Sequence, residues 1–123
     1  MVSTLIVDDN SVFRESLRHV LRTHFPALEV TEAEDGAQTL QHVQAALPDL
    51  IFMDIRLRGE NGLQLTKKIK SRYPHAVIAI TTSYDLPEYR RAARRVGASH
   101  FLCKDKLSHE RIAAVMESVL TAK

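Results

Sequence analysis

DLIFMDIRLRGENGL, residues 49–63, is the stretch on which the reading of this chain turns. Leu50, Ile51, Phe52 and Met53 run without a polar break into Asp54, and Gly59 marks a turn shortly afterwards. A short, uninterrupted apolar run bounded by polar and turn residues reads as a strand buried on both faces. The same design recurs on either side, at residues 4–7, 28–33, 76–80 and 101–103, with starts 22 to 26 residues apart. That interval holds one strand, one loop and one helix.

Between the runs the apolar period becomes helical. Phe13, Leu17, Val20 and Leu21 form one stripe, and Leu40, Val43 and Leu47 a second. Leu65 and Ile69 follow, then Tyr89, Ala92, Ala93 and Val96, and finally Ile112, Val115, Met116 and Val119. Pro48 and Pro74 stop helices, Pro87 suits a first helical turn, Gly97 suits a helix C-terminus and Ser108 an N-cap. Five βα units predict a flavodoxin-like (βα)5 fold, α/β and doubly wound. Its five-stranded parallel sheet has order 2-1-3-4-5 and carries helices on both faces. No linker or low-complexity stretch interrupts residues 1–123, which are expected to form one domain with no output domain in this chain.

Composition agrees. With 45% hydrophobic and 26% charged residues, the 123-residue chain has the balance of a globular domain. The single cysteine, Cys103, excludes an intramolecular disulfide framework and any zinc site needing two thiolates, and fits a reducing compartment. No apolar run approaches the roughly 20 residues of a membrane span, and the N-terminus lacks a signal-peptide pattern. A cytoplasmic location with no membrane contact is expected. The net charge of +2 conceals an asymmetry: residues 1–60 hold ten acids and five bases, residues 61–123 five acids and twelve bases.

The chemistry is concentrated where the strands end. The first run meets Asp8 and Asp9, the third Asp54, the fourth Thr81 and Thr82, the fifth Lys104. In an open doubly wound sheet, ligands bind outside the carboxyl ends of the strands where strand order reverses, here between the first and third. Three carboxylates at one rim repel one another unless a cation joins them. Oxygen ligands on short side chains suit Mg²⁺. Neither glycine-rich phosphate-binding motif is present. The remaining parts, a carboxylate nucleophile, a hydroxyl and an ammonium, suit transfer of a small charged group onto Asp54. Mg²⁺ and Lys104 would neutralise phosphoryl oxygens and Thr81 would donate to one.

In this order and spacing, LIVDD at 5–9, DLIFMDIRLRGENGL at 49–63, AVIAITT at 76–82 and GASHFLCKD at 97–105 resemble the receiver domain of bacterial two-component response regulators over essentially the whole chain. The resemblance implies that Asp54 is the phosphoacceptor, taking its phosphoryl group from a phosphohistidine of a sensor histidine kinase. It implies that Asp9, Asp54 and the backbone carbonyl of Arg56 hold Mg²⁺, with Asp8 binding directly or through water. Thr81 and Lys104 would contact the phosphoryl group, and Phe101 would be the aromatic switch whose rotamer follows the Thr81 hydroxyl. The domain would catalyse its own phosphorylation and dephosphorylation rather than act as an enzyme. It would control a partner or output domain, with transcription regulation the expected outcome.

The departures are informative. Asp105 replaces the proline that many receivers carry after the lysine, as in the subgroup with a C-terminal helix-turn-helix output domain. Arg58 stands where proline is frequent, leaving the turn to Gly59. Thr82 is bulkier than the usual residue and stands to narrow access to the site. Arg56 and Ser83 occupy positions that tune phosphoryl lifetime in the family. Two rival readings are a degenerate receiver used only for interaction, which the full set of Asp9, Asp54, Thr81 and Lys104 opposes, and an aspartyl-nucleophile phosphatase, which needs an acid where Arg56 stands.

Arg90, Arg91, Arg94 and Arg95 cover one side of the fourth helix. They are read as a solvated face or a docking surface for an acidic partner or a homodimer, involving the fourth helix, fifth strand and fifth helix. Without interleaved aromatics or a recognition helix they do not suggest direct nucleic-acid binding. The six histidines lack metal-ligand spacing. A bare cap is the competing role for Asp8-Asp9-Asn10-Ser11.

Overall fold

The computed structural model describes residues 2–122. Strands β1 (Ser3–Val7), β2 (Glu29–Ala33), β3 (Leu50–Asp54), β6 (Ile78–Thr82) and β7 (His100–Cys103) form a five-stranded parallel sheet in the order β2-β1-β3-β6-β7. This is the expected 2-1-3-4-5 order, with β6 and β7 as fourth and fifth core strands. A two-stranded antiparallel ribbon, β4 (Arg56–Leu57) and β5 (Glu60–Asn61), which the sequence reading does not contain, interrupts the count. It turns through Gly59 at φ 73°, where Gly59 alone supplies a conformation that Arg58 adopts poorly.

Helices α1 (Ser11–His24), α2 (Gly36–Ala45), α3 (Gly62–Arg72), α4 (Pro87–Arg95) and α5 (His109–Thr121) cover the sheet. The period-2 alternation of a strand sorts the core. Leu5, Val7, Ile51, Met53, Ile78 and Ile80 point to the face that packs against α2, α3 and α4. Ile6, Leu50, Phe52 and Ala79 point to the face that packs against α1 and α5. All ten are completely buried, which explains why the central strands read as unbroken apolar runs. Full burial of one such large side chain is worth about 1.5–3 kcal/mol, and Phe52→Ala would cost about 3–5 kcal/mol.

Side-chain caps fix four of the five helix starts. Asn10, Asp35, Asn61 and Ser108 accept from backbone N–H groups of Val12 and Phe13, Gln38, Leu63 and Arg111 respectively. Pro87 opens α4 without a side-chain cap. Gly97, at φ 96°, ends it: its N–H donates to Arg94 O at 3.1 Å and that of Ala98 to Ala93 O at 3.0 Å.

Three expectations need correction. The fourth run begins at Ile78 and extends through Thr81 and Thr82, so both hydroxyl residues are part of the strand. Helix α2 ends at Ala45, which leaves Leu47 outside it and 38% exposed; the residue before Pro48 is forced away from helical geometry. Likewise Val96 is the C-cap of α4 rather than a member of its apolar stripe.

Candidate functional site

The register of the sheet assembles the site. Val7 pairs with Met53 and Asp54 with Thr81, so the residues at these strand ends share one edge. Asp8 is fully buried, Asp54 is 6% exposed and Asp9 is open to solvent. One carboxylate oxygen from each lies within 4.8 Å of the others. Asp8 is held from several sides. Its N–H continues the β1–β2 ladder to Ala33 O, its Oδ1 accepts from Asn10 N at 2.9 Å, and Arg14 Nη1 donates to its carbonyl. Arg14 and Arg18 are anchored on Glu32 at 3.1 and 2.8 Å.

Asn10, not either aspartate, caps α1. The capping role that competed for this stretch is filled, and both carboxylates remain directed to the rim.

Lys104 follows β7 at the start of a short 3₁₀ turn, Lys104–Lys106. Its Nζ lies 2.6 Å from Asp8 Oδ2 and 3.5 Å from Asp54 Oδ2, and 4.4 Å from the centroid of the Phe13 ring. The ammonium thus bridges two of the three carboxylates. Asp54 is pushed up to about 6, first by burial and then by the negative charge of Asp8, with Asp9 adding a smaller push. Lys104 and the backbone N–H of Arg56 oppose that rise. A carboxylate cluster with one ammonium among three acids retains excess negative charge, and its oxygen-only donors fit a hard divalent cation.

Thr81 is 1% exposed and its Oγ1 has no hydrogen-bond partner. A buried hydroxyl without a partner costs free energy, and this one sits on the residue paired with Asp54. Thr82 differs. Its Oγ1 accepts from Tyr84 N at 3.1 Å, so the hydroxyl is engaged in the turn after β6. The Lys104–Asp105 bond is trans, as are all described peptide bonds.

Arg56 adds a contact the sequence did not disclose. Its guanidinium carbon lies 4.1 Å from the Tyr84 ring centroid, linking the segments that follow β3 and β6. Phe101 is half-buried, packed against the α2/α3/α4 core. Of the four arginines on α4, all exposed, Arg90 is engaged internally: its Nε donates to Asp85 Oδ1 at 2.6 Å and its guanidinium stacks on Phe101. Arg91, Arg94 and Arg95 make no ion pair among the described residues. Sequence reasoning missed Phe13, Arg14, Tyr84 and Asp85. Phe13 is visible in the sequence only as one member of an apolar stripe; Tyr84 gains its contact only when the segments after β3 and β6 meet, and Arg14 and Asp85 read as ordinary surface charges until their side chains are placed.

This arrangement, an acidic triad and a lysine at the carboxyl edge of a five-stranded doubly wound sheet, defines a class, and comparison with known proteins agrees. Residues 4–117 match the response regulator receiver domain, and the chain belongs to that family. It is 30% identical over 93% of its length to the transcriptional regulatory protein DegU of Brevibacillus brevis, covering 48% of that protein. It is 36% identical over 95% of its length to the DNA-binding transcriptional activator DevR/DosR of Mycobacterium tuberculosis, covering 54% of it. The chain therefore spans about half the length of these curated relatives. Among solved structures, the signal receiver domain of the putative response regulator NarL from Mycobacterium tuberculosis is 30% identical. It superposes with a TM-score of 0.85, with 96% of this chain and 95% of that one covered.

Proposed function

We propose that this receiver takes a phosphoryl group from a sensor histidine kinase onto Asp54 and uses it as a conformational switch. The observation that carries the reading is the convergence of Asp8, Asp9 and Asp54, with carboxylate oxygens within 4.8 Å of one another, around the Lys104 ammonium. An Asp54 oxygen attacks phosphorus, the bond from phosphorus to the kinase imidazole nitrogen breaks, and the imidazole departs with a proton. Hydrolysis later returns the carboxylate and inorganic phosphate. The domain assists both steps on itself and turns over no external substrate.

Each side chain has a task in that scheme. Lys104, placed between Asp8 and Asp54, offsets charge on phosphoryl oxygens, and Thr81 Oγ1, buried and unpartnered, donates to one of them. Asp9, Asp54 and the Arg56 carbonyl would hold Mg²⁺, with Asp8 binding directly or through water. The chemistry supplied by Mg²⁺ when bound is neutralisation of phosphoryl oxygens and screening of the acidic triad. The Thr81 hydroxyl, once engaged, draws Phe101 inward and biases an existing equilibrium on the face of α4, β7 and α5.

On that face, Arg91, Arg94 and Arg95 are proposed as the docking surface for an acidic partner, a second copy or an output domain, without direct contact to nucleic acid. Residues 1–123 act as one receiver domain. The names of the relatives support control of transcription as the outcome, and a cytoplasmic setting accords with the absence, among the described residues, of any helix long and apolar enough to cross a membrane.

Incubation with Mg²⁺ and acetyl phosphate, followed by intact-mass measurement, tests the core of this. Wild type gains one phosphoryl mass and Asp54→Asn does not. No gain in wild type would move the reading to a pure interaction module. Rapid turnover of an external phosphomonoester would move it to a phosphatase.

A further inference from the structure

Arg90 joins two parts of the molecule that the switch reading sets in motion. Its Nε is tied to Asp85 Oδ1 at 2.6 Å, in the segment between β6 and α4, and its guanidinium carbon lies 4.7 Å from the centroid of the Phe101 ring on β7. Phe101 also lines, with Ala93, Arg94 and His100, a cavity of about 210 Å³ between α4 and β7, so there is free volume beside the ring. A guanidinium is attracted to an aromatic face, and one already oriented by a charge-assisted hydrogen bond loses less freedom when it stacks. Arg91, Arg94 and Arg95, on the same helix, have no such partner among the described residues.

The consequence is mechanical. If Phe101 moves toward the buried Thr81 hydroxyl, it withdraws from Arg90. If the segment after Thr82 moves toward Asp54, Asp85 pulls away from Arg90. Both displacements break contacts of one side chain, so they are favoured together rather than separately.

We propose that Arg90 is the positioning residue that holds Phe101 and the segment containing Asp85 in their present conformation, and so sets how readily the switch leaves it. The proposal rests on the phosphoacceptor reading of Asp54 and on Phe101 as the moving aromatic. It differs from a docking role, because the contacts it names are internal.

The test uses the full chain labelled with 4-fluorophenylalanine. Each of its four phenylalanines then contributes one ¹⁹F resonance, with that of Phe101 assigned by its loss in Phe101→Tyr. Trifluoroberyllate with Mg²⁺ serves as the phosphoryl mimic. Weakening the resting conformation raises apparent affinity for a ligand of the other conformation. Arg90→Gln should therefore bind trifluoroberyllate about two- to fivefold more tightly. Its Phe101 resonance, without the mimic, should already lie part of the way to the bound position. Asp85→Asn should act in the same direction, Arg90→Lys should fall between wild type and Arg90→Gln, and Arg72→Gln, an exposed charge on α3, should match wild type.

A responsive wild type whose affinity and Phe101 resonance are unchanged in Arg90→Gln overturns this proposal alone. So does an equal effect from Arg72→Gln, which would reduce it to net charge. A lowered Tm with unaltered affinity would assign Arg90 a purely structural role and overturn it as well. A wild type blind to trifluoroberyllate overturns the phosphoacceptor reading, and this proposal with it.

Discussion

Gly62→Ala puts the seating of Asp54 to the test. Gly62 begins α3, and its N–H donates to Ile55 O at 2.7 Å, drawing the helix N-terminus against the end of β3. A methyl carbon added at Gly62 would lie 1.8 Å from Asp54 O, 2.8 Å from Asp54 C and 3.1 Å from Ile55 Cα. Contacts to Cβ below 3.0 Å essentially do not occur, so the two backbones must separate by at least about 1.2 Å. The obstacle is the main chain of a central strand, and no rotamer change relieves it. Overpacking of this kind costs about 1–3 kcal/mol, here toward the upper end, which lowers Tm by roughly 5–15 °C in a domain of this size. A reacting group misplaced by about 1 Å loses on the order of 100-fold in rate, and phosphorylation of Asp54 by acetyl phosphate should slow comparably.

Gly36→Ala provides the contrast. There the added carbon would meet the Glu60 carboxylate at 1.8 Å, the end of a flexible side chain that can swing aside, so both losses should be small. Calorimetry and intact-mass time courses read the two effects. A Gly62→Ala protein with wild-type Tm and wild-type phosphorylation rate would refute the reasoning.

Further outcomes follow from the titrating groups and the caps. Asp54, raised to about 6 from its ordinary 3.8, binds its proton more tightly folded than unfolded. Its contribution is therefore a penalty, absent below about pH 4 and complete above about pH 6. Asp54→Asn should stabilise the unliganded protein by about 3 kcal/mol at pH 8 and by almost nothing at pH 4, as read by urea unfolding. Lys104→Met should move the Asp54 titration, followed by carboxyl ¹³C shifts, further upward; an unchanged or lower midpoint would contradict the charge arrangement. Burial lowers His100, so its contribution is present above the usual histidine range and is lost as pH falls through it. His100→Gln should flatten the stability slope on the acid side of the usual histidine value of 6.5. Asn10→Ala should cost about 1 kcal/mol by removing the α1 cap, while Mg²⁺ affinity measured by calorimetry stays near wild type. A large fall in affinity would show that Asn10 does more than cap.

Much of the site was legible because strand ends are written in the sequence. Each buried run terminates in the residue that the sheet then presents at its edge, and parallel pairing brings those edges into line whatever the intervening helices contain. Asp8, Asp9, Asp54, Thr81 and Lys104 were found that way. Arg90 was read with its three neighbours as one basic surface, since helical spacing gives an exposed position but not the ring or carboxylate waiting beside it. The sequence presents Thr82 as bulk at the entrance and is silent on its hydroxyl, which closes a local turn with Tyr84. The β4–β5 ribbon escaped because two-residue strands leave no periodicity to detect.

The sequence by itself determined the alternation of strand and helix, the two-sided burial of the central strands and the identity of the acids and lysine. These follow from local periodicity and from the hydrophobic effect acting on each segment. Only the tertiary structure decided that Lys104 bridges Asp8 and Asp54, that Asn10 rather than either aspartate caps α1, and that Arg90 is committed to Asp85 and Phe101. The Lys104 contacts join residues far apart in the chain and exist only once the sheet register has been set, whereas the Asn10 and Arg90–Asp85 contacts are local and depend on where each helix starts and which way its side chains turn.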